Sequence, residues 1–378
     1  DLSGLFRQYP GRPAGTRPVL LRRAALHRQR QLPSSGRHRR QSRDRRCHAE
    51  DRRFAGRTAC RDLIYTSGAS ESNNFALKGL ARLSRHAGRH IISTPLEHSS
   101  VSGTLTALQE QGYEIDLLDI RRDGTVDLDH LKELLRPDTI AVAVTLVDSE
   151  LGVVQPVEEI AAILKNYPNC HLHVDATQAV GKIPVSFEGV DTMSLTAHKF
   201  YGLNGIGLLL KRRNLALEPL IHGGESTTIY RSGTPTVALA SSLACALELA
   251  VKNLPERSAS VQKRNAELRA ALCQHPEVRI NSPENAIPHI LNLSVRDVKG
   301  TVFQRELDAH GVCVSVKSAC SSDGLPSRAV FAVSRDRRNA LSSWRISLSH
   351  LTTEAEIQEF LRVFDVCCQQ LTAAHGDQ

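Results

Sequence analysis

The chain has 378 residues, 41% of them hydrophobic, with nine cysteines and a formal net charge of +8. That length suffices for a substantial core and two domains, no apolar run reaches the length of a membrane span, and no signal peptide with an apolar h-region opens the sequence. The charge is lopsided: residues 1–62 hold 17 arginines, no lysine and five acidic residues, whereas the remainder holds 31 basic and 35 acidic residues, so the body of the chain offers no basic footprint for nucleic acid.

Cysteines stand at 47, 60, 170, 245, 273, 313, 320, 367 and 368. They show no metal-type spacing, and an odd count in a large α/β chain argues against a disulfide framework and for a reducing cytosol. No metal site and no membrane partner are expected.

Residues 1–62 have the composition of a basic, disordered arm. A second reading comes from the genetic code. Codons for DLSGLFRQYPGRP can be chosen so that the frame one base on reads IYLDYSANTPAD, and HRQRQLPSSGRHRRQSRD likewise permits IGNASSLHPVGTAAKAVI. CHAEDRRFAGRTACRD permits VTQKIADLLGVQPAE, which leads into IYTSGAS. The shifted strings contain the start strand, turn and amphipathic helix that the printed segment lacks. We therefore expect an out-of-frame translation over residues 1 to about 62.

From Leu63 onward apolar strand-like runs alternate with helical periods, the pattern of a largely parallel sheet covered by helices. The predicted strands are LIYTS, HIIST, EIDLLDI, TIAVAVTLV, HLHVDA, DTMSLTA and GIGLLLK. Residues 63–245 form the predicted large domain. The apolar helix TPTVALASSLACALELAVKNL bridges to an α+β domain over 246–378, which ends in a helix from Thr353 to about Ala373.

Along this frame TSGASESNN leaves a strand and opens a helix, so the backbone of Gly68, Ala69 and Ser70 can cradle a phosphate; the same residues also suit an ordinary helix cap. His98 in PLEHSSV stands just past a strand, where an imidazole can lie on a planar cofactor and move protons, or simply end the strand. HVDATQ sets Asp175 and Gln178 at a strand end, and TAHK offers Thr196, His198 and Lys199 after the next strand. A carboxylate, an amide and a lysine at neighbouring strand ends are what pyridoxal phosphate (PLP) requires: the lysine amine condenses with its aldehyde, and the carboxylate keeps its ring nitrogen protonated. Cys320 in VSVKSACSSDG follows a strand in a small-residue loop with Lys317 near, a setting that favours a thiolate. Arg345 in SSWRISLS can grip a carboxylate through two parallel hydrogen bonds, or belong to a surface ion pair.

Taken in order, TSGASESNN, EHSSV, HVDATQAVGKIP, SLTAHKFYGLNGIG, PLIHGG, YRSGTP, SACSS and RISLSHLT resemble the cysteine desulfurases of the class-V PLP-dependent aminotransferase fold. The resemblance runs from about Leu63 to the C-terminal helix, and the shifted strings resemble the family's N-terminus. It implies PLP fold type I: a large α/β domain with a mostly parallel seven-stranded sheet, and a small domain carrying the cysteine loop. It further implies that Lys199 holds PLP, Asp175 pairs with its nitrogen, Gln178 contacts its phenolate and His98 stacks on its ring. Ser70, Thr196 and His198 would bind the phosphate, and Thr234 would come from the second subunit of a homodimer.

Arg345 would bind the carboxylate of L-cysteine, and Cys320 would take its sulfur as a persulfide, releasing L-alanine. An acceptor protein of iron–sulfur assembly or tRNA thiolation would then receive the sulfur. One departure is Asp148–Ser149–Glu150, where many members have two asparagines before Glu-x-Gly; Ser149 then replaces the Asn that usually contacts cofactor or substrate. GESTTIY also departs from the stretch usual before RSGT. The rival readings are another class-V enzyme, a selenocysteine lyase or an aminotransferase, and an inactive product if the printed N-terminus is made as written. Sequencing the encoding DNA should reveal a single-base discrepancy near codons 62–63; an intact frame there would refute the out-of-frame reading.

Overall fold

The computed structural model describes residues 61–224, 228–317 and 325–376, with side chains described to residue 372. The arginine-rich stretch 1–60 and the expected nucleophile Cys320 lie outside these described residues.

Seven strands form the main sheet: β1 Arg61–Thr66, β2 His90–Ser93, β3 Glu114–Leu117, β4 Thr139–Thr145, β5 His171–Asp175, β6 Thr192–Thr196 and β7 Gly207–Arg212. Their order is β1-β7-β6-β5-β4-β2-β3. Only β7 runs against its neighbours, pairing antiparallel with both β1 and β6. The central β4, TIAVAVT, is buried along its whole length. A strand covered by helices on both faces needs such a continuous β-branched and apolar run instead of an alternating one. The expectation of a mostly parallel seven-stranded sheet is met.

This topology sets the carboxyl ends of β1, β2, β4, β5 and β6, together with the start of β7, along one edge. In open parallel sheets that edge is where ligands bind, because the loops leaving the strands converge there. Backbones crowd at this edge. A Cβ on Gly207 would come within 2.6 Å of the Gly68 Cα and 2.8 Å of the Leu195 carbonyl oxygen, so only glycine lets β7 start against the β1 loop.

β1 opens at Arg61, two residues before the expected Leu63. The Arg61 guanidinium donates to the Val190 carbonyl at 2.6 Å and to that of Phe187, and Asp62 pairs with the buried Lys211 at 3.0 Å. The helix Val237–Lys252 spans the expected domain boundary, and Leu243 and Leu247 on either side of it share the core of the large domain. The next helix, Leu254–Leu272, begins after a bend of 68° and packs into the small domain through Val261, Leu268 and Leu272. Among the described residues no single helix is long and apolar enough to cross a membrane.

The small domain contains the antiparallel sheet β10-β9-β8, with β8 Val278–Ile280, β9 Ile290–Val295 and β10 Ser343–Ser347. Its core is aromatic: Trp344 stacks on Phe303 at 5.1 Å, and both meet Phe364 from the last helix, Glu354–Gly376. Trp344 is the chain's single tryptophan and is fully buried, so its fluorescence reports this domain alone. Phe303→Ala should lower stability by about 3–5 kcal/mol, the usual cost of emptying a packed aromatic site, visible as an earlier Trp344 fluorescence transition in urea.

Candidate active site

Asp175 ends β5, 4% exposed, and its carboxylate is held from two sides. The Asn73 side-chain amide donates to it at 2.8 Å and the Thr177 backbone amide at 2.9 Å. Asn73 sits in the helix Ala69–Ser84 and is fully buried. Its Oδ1 accepts from His173 Nε2 at 3.0 Å and from the Ser194 hydroxyl, which leaves Nδ2 to donate to Asp175 and, at 2.9 Å, to Ser100. Every polar valence of the amide is thereby used.

The network continues to His98. This residue caps the helix Ser99–Gln109: its Nδ1 accepts from the Ser100 backbone amide at 3.1 Å and lies 2.9 Å from the Ser100 hydroxyl. Nδ1 is therefore the acceptor, and the neutral ring carries its proton on Nε2. Burial draws the His98 imidazole below its ordinary pKa; the Asp175 carboxylate opposes this and the Lys199 ammonium adds to it. Sensitivity to both groups places the histidine, the aspartate and the lysine in one electrostatic neighbourhood.

Lys199 lies in a 3-10 turn, Ala197–Phe200, directly after β6. Within the same segment Thr196 Oγ1 and His198 Nδ1 are 3.2 Å apart, and burial followed by the Lys199 charge lowers the His198 pKa. Thr196 Oγ1 would stand 3.6 Å from a Cβ on Gly68. Gly68 is the N-cap of the helix Ala69–Ser84, with no side-chain cap bond, and Ser70 is exposed in its first turn. Ser70 is therefore not the helix cap: that position is Gly68, and no side chain caps it.

Gln178 accepts from Lys182 Nζ at 2.5 Å. Burial, then the charges of Lys199 and Arg345, push the Lys182 ammonium down to about 7. The Arg345 guanidinium donates to the Ser149 carbonyl at 2.5 Å. The role at position 149 that the structure displays is thus a backbone one, which a serine fills as well as an asparagine. A cavity of about 290 Å³ is lined by Glu97, His98, Ser149, Glu150, Lys317 and Leu325, among others. Lys317 and Leu325 flank the seven residues that include Cys320. Thr234 is exposed and lines a different cavity, with Ser67, Gly205 and Arg231; the chain's own fold does not bring it to His98.

Several site residues escaped the sequence reading. His173 shares a strand face with Asp175 through the period of two, a signal that was available in HVD. Asn73 gave no sign beyond its helix. Glu97 is buried, and its Oε1 accepts from the Thr94 hydroxyl and the Thr145 amide, each at 2.8 Å. Burial, with Asp175 and Asp148 adding to it, pushes its carboxyl up to about 8.

An acidic end at Asp175, an uncapped helix start beside Thr196 and His198, and a lysine on the turn after β6 define a PLP enzyme of fold type I. Comparisons agree. The profile of the family described as Aminotransferase class-V matches residues 33–360. A cysteine desulfurase IscS of Dictyoglomus turgidum is 38% identical over 319 residues, covering 82% of this chain and 80% of that protein. A mitochondrial cysteine desulfurase of Eremothecium gossypii is 37% identical over 80% of this chain and 62% of its own length. Among solved structures, a NifS-like protein superposes with a TM-score of 0.85 at 29% identity over 95% of this chain and 96% of that one. DndA from Streptomyces lividans gives 0.78 at 30% identity, over 91% and 98%. The chain belongs to the class-V aminotransferase family, and within it to the cysteine desulfurases, which are PLP-dependent.

The raised Glu97 pKa carries a sign for stability. Unfolded, the carboxyl ionises near 4.5; folded, it keeps its proton to about 8. Its contribution is therefore complete below pH 4.5 and is lost as pH rises towards 8. Glu97→Gln should make stability fall less across that window than it does in the parent protein, measured by urea denaturation at pH 5, 6.5 and 8.

Proposed function

We propose that this chain desulfurates L-cysteine, with Cys320 as the sulfur acceptor, Lys199 as the cofactor-holding lysine and Arg345 as the anchor for the substrate carboxylate. The observation that supports this most strongly is the convergence of Asp175, His98, Lys199 and Arg345 on one sheet edge, beside a cavity bordered by both residues that flank the cysteine segment.

PLP, when bound, supplies an aldehyde that captures amines and a protonated ring that withdraws electrons. The residues divide the remaining work. Asp175, fixed by Asn73 and Thr177, would present its carboxylate to the ring nitrogen. Thr196, His198, Ser70 and the amides of Gly68 and Ala69 would hold the phosphate. Gln178, kept in one orientation by Lys182, would offer its amide hydrogens to the phenolic oxygen. Lys199 and His98 handle protons at the substrate carbon and sulfur, the latter with its basic character reduced by burial.

Cys320, as thiolate, attacks the substrate sulfur. The new S–S bond leaves a persulfide on the enzyme while the substrate Cβ–S bond breaks. The carbon fragment keeps that electron pair, takes a proton and leaves as L-alanine. The chain then works as a homodimer, Thr234 completing the partner's phosphate site, and passes sulfur to an acceptor protein of iron–sulfur assembly or tRNA thiolation. We place this in the cytoplasm; the free cysteines among the described residues are compatible with a reducing compartment.

Cys320→Ala should abolish sulfide release from L-cysteine while PLP absorbance stays intact, whereas Lys199→Ala should remove both. Undiminished sulfide release by Cys320→Ala would refute the nucleophile assignment and favour another class-V reaction.

A further inference from the structure

Cysteine spacing gave no reason to expect a metal, yet the small domain brings together donors that are far apart in sequence. We propose that His275, Glu277 and Cys368 bind a divalent transition-metal ion of the zinc type, at a site separate from the PLP centre.

One donor atom from each residue lies within 4.8 Å of the other two. His275 Nδ1 stands 3.6 Å from Glu277 Oε1, and Cys368 Sγ stands 3.0 Å from the same oxygen. Donors bonded to one tetrahedral zinc ion are separated by about 3.3–3.8 Å. The nitrogen–oxygen pair is already at that spacing, and the sulfur–oxygen pair needs to open by about half an ångström.

The histidine is oriented for this task. Its Nε2 pairs with Asp365 at 3.2 Å, while Nδ1 faces Glu277 at a separation too long for a hydrogen bond. A carboxylate behind one ring nitrogen fixes the tautomer that leaves the other free to ligate, the usual outer partnership of a metal-bound histidine. The Phe364 ring meets the imidazole edge-on at 5.2 Å and restrains its tilt.

The backbone beneath the donors is held as well. The His275 amide donates to Leu272 O, His275 O accepts from Val278, and Glu277 O accepts from Arg296. Cys368 is buried in the last helix. Without metal its thiol donates to Glu277; binding sends that proton to solvent as the thiolate ligates. An imidazole, a thiolate and one carboxylate form a mixed donor set that favours zinc-like ions over magnesium or calcium, and three protein donors leave a fourth position for water.

A neighbouring trio, Glu306, His310 and Cys367, also falls within 4.8 Å. There the His310 Nδ1 is already bonded to the Glu306 carbonyl at 2.9 Å, so that nitrogen is committed to its own helix. At the first site an ion would clamp the last helix to the entry of β8. That helix packs on Trp344, the residue before Arg345, through Phe360 and Phe364.

Cobalt(II) is a coloured probe for such a site. Titrating the full chain with Co²⁺ should give a thiolate-to-cobalt absorption band that Zn²⁺ displaces and that survives Cys320→Ala. Cys368→Ser should abolish the band, His275→Gln should weaken binding at least tenfold, and Asp365→Asn should weaken it about tenfold. Circular dichroism would establish that each variant is folded; if Cys368→Ser is not, the two partly exposed positions decide. Absence of the band in the parent chain, unchanged cobalt affinity in His275→Gln, or loss of the band in Cys367→Ser with retention in Cys368→Ser would overturn the proposal.

Discussion

The side-chain amide of Asn73 holds the site together. It donates to Asp175 and Ser100 and accepts from His173 and Ser194, joining one helix to two strands and to the helix that His98 caps. A buried amide with all its valences engaged cannot rotate without leaving polar groups unpaired, at about 1–3 kcal/mol for each. Its orientation therefore fixes the bond to Asp175, and its second donor steadies the Ser100 hydroxyl that lies against His98 Nδ1.

Around that hub the electrostatics are graded. Burial keeps His173 neutral, its pKa lowered to about 4 despite Asp175 nearby. Glu97 holds its proton, so it adds no second negative charge beside Asp175. Lys182, brought down to about 7 by burial and two cationic neighbours, can release a proton within an ordinary pH range. Asp175 ends β5 beside these groups, and Lys199 and Arg345 stand near enough to Lys182 for their charges to act on it.

The two domains divide these tasks in a way that follows from their packing. The parallel sheet, with β4 buried on both faces, fixes the edge from which the PLP-site residues project. Arg345 belongs to β10 of the small domain and reaches across to the Ser149 carbonyl. Its position depends on the aromatic core under β10, in which Trp344 is clasped between Phe303 and Phe364. The clamp proposed at Cys368 would act on that same last helix.

Much of this was legible in the sequence. HVDATQ and TAHK each place their chemical groups within a few residues of a strand end, so local pattern was enough to single out Asp175, Gln178 and Lys199 as candidates, and the ordered motifs pointed to the family. The alternation of strands and helices likewise gave the sheet and its two-domain plan. The sequence could not show which groups hold those residues. Asn73 lies 102 positions from Asp175, and Cys368 lies 91 from Glu277. Such partnerships arise only when the sheet order and the packing of the last helix bring distant segments within hydrogen-bonding range. Residue type and short spacing are written in the chain; protonation, tautomer and orientation depend on burial and on neighbours that only the tertiary structure supplies.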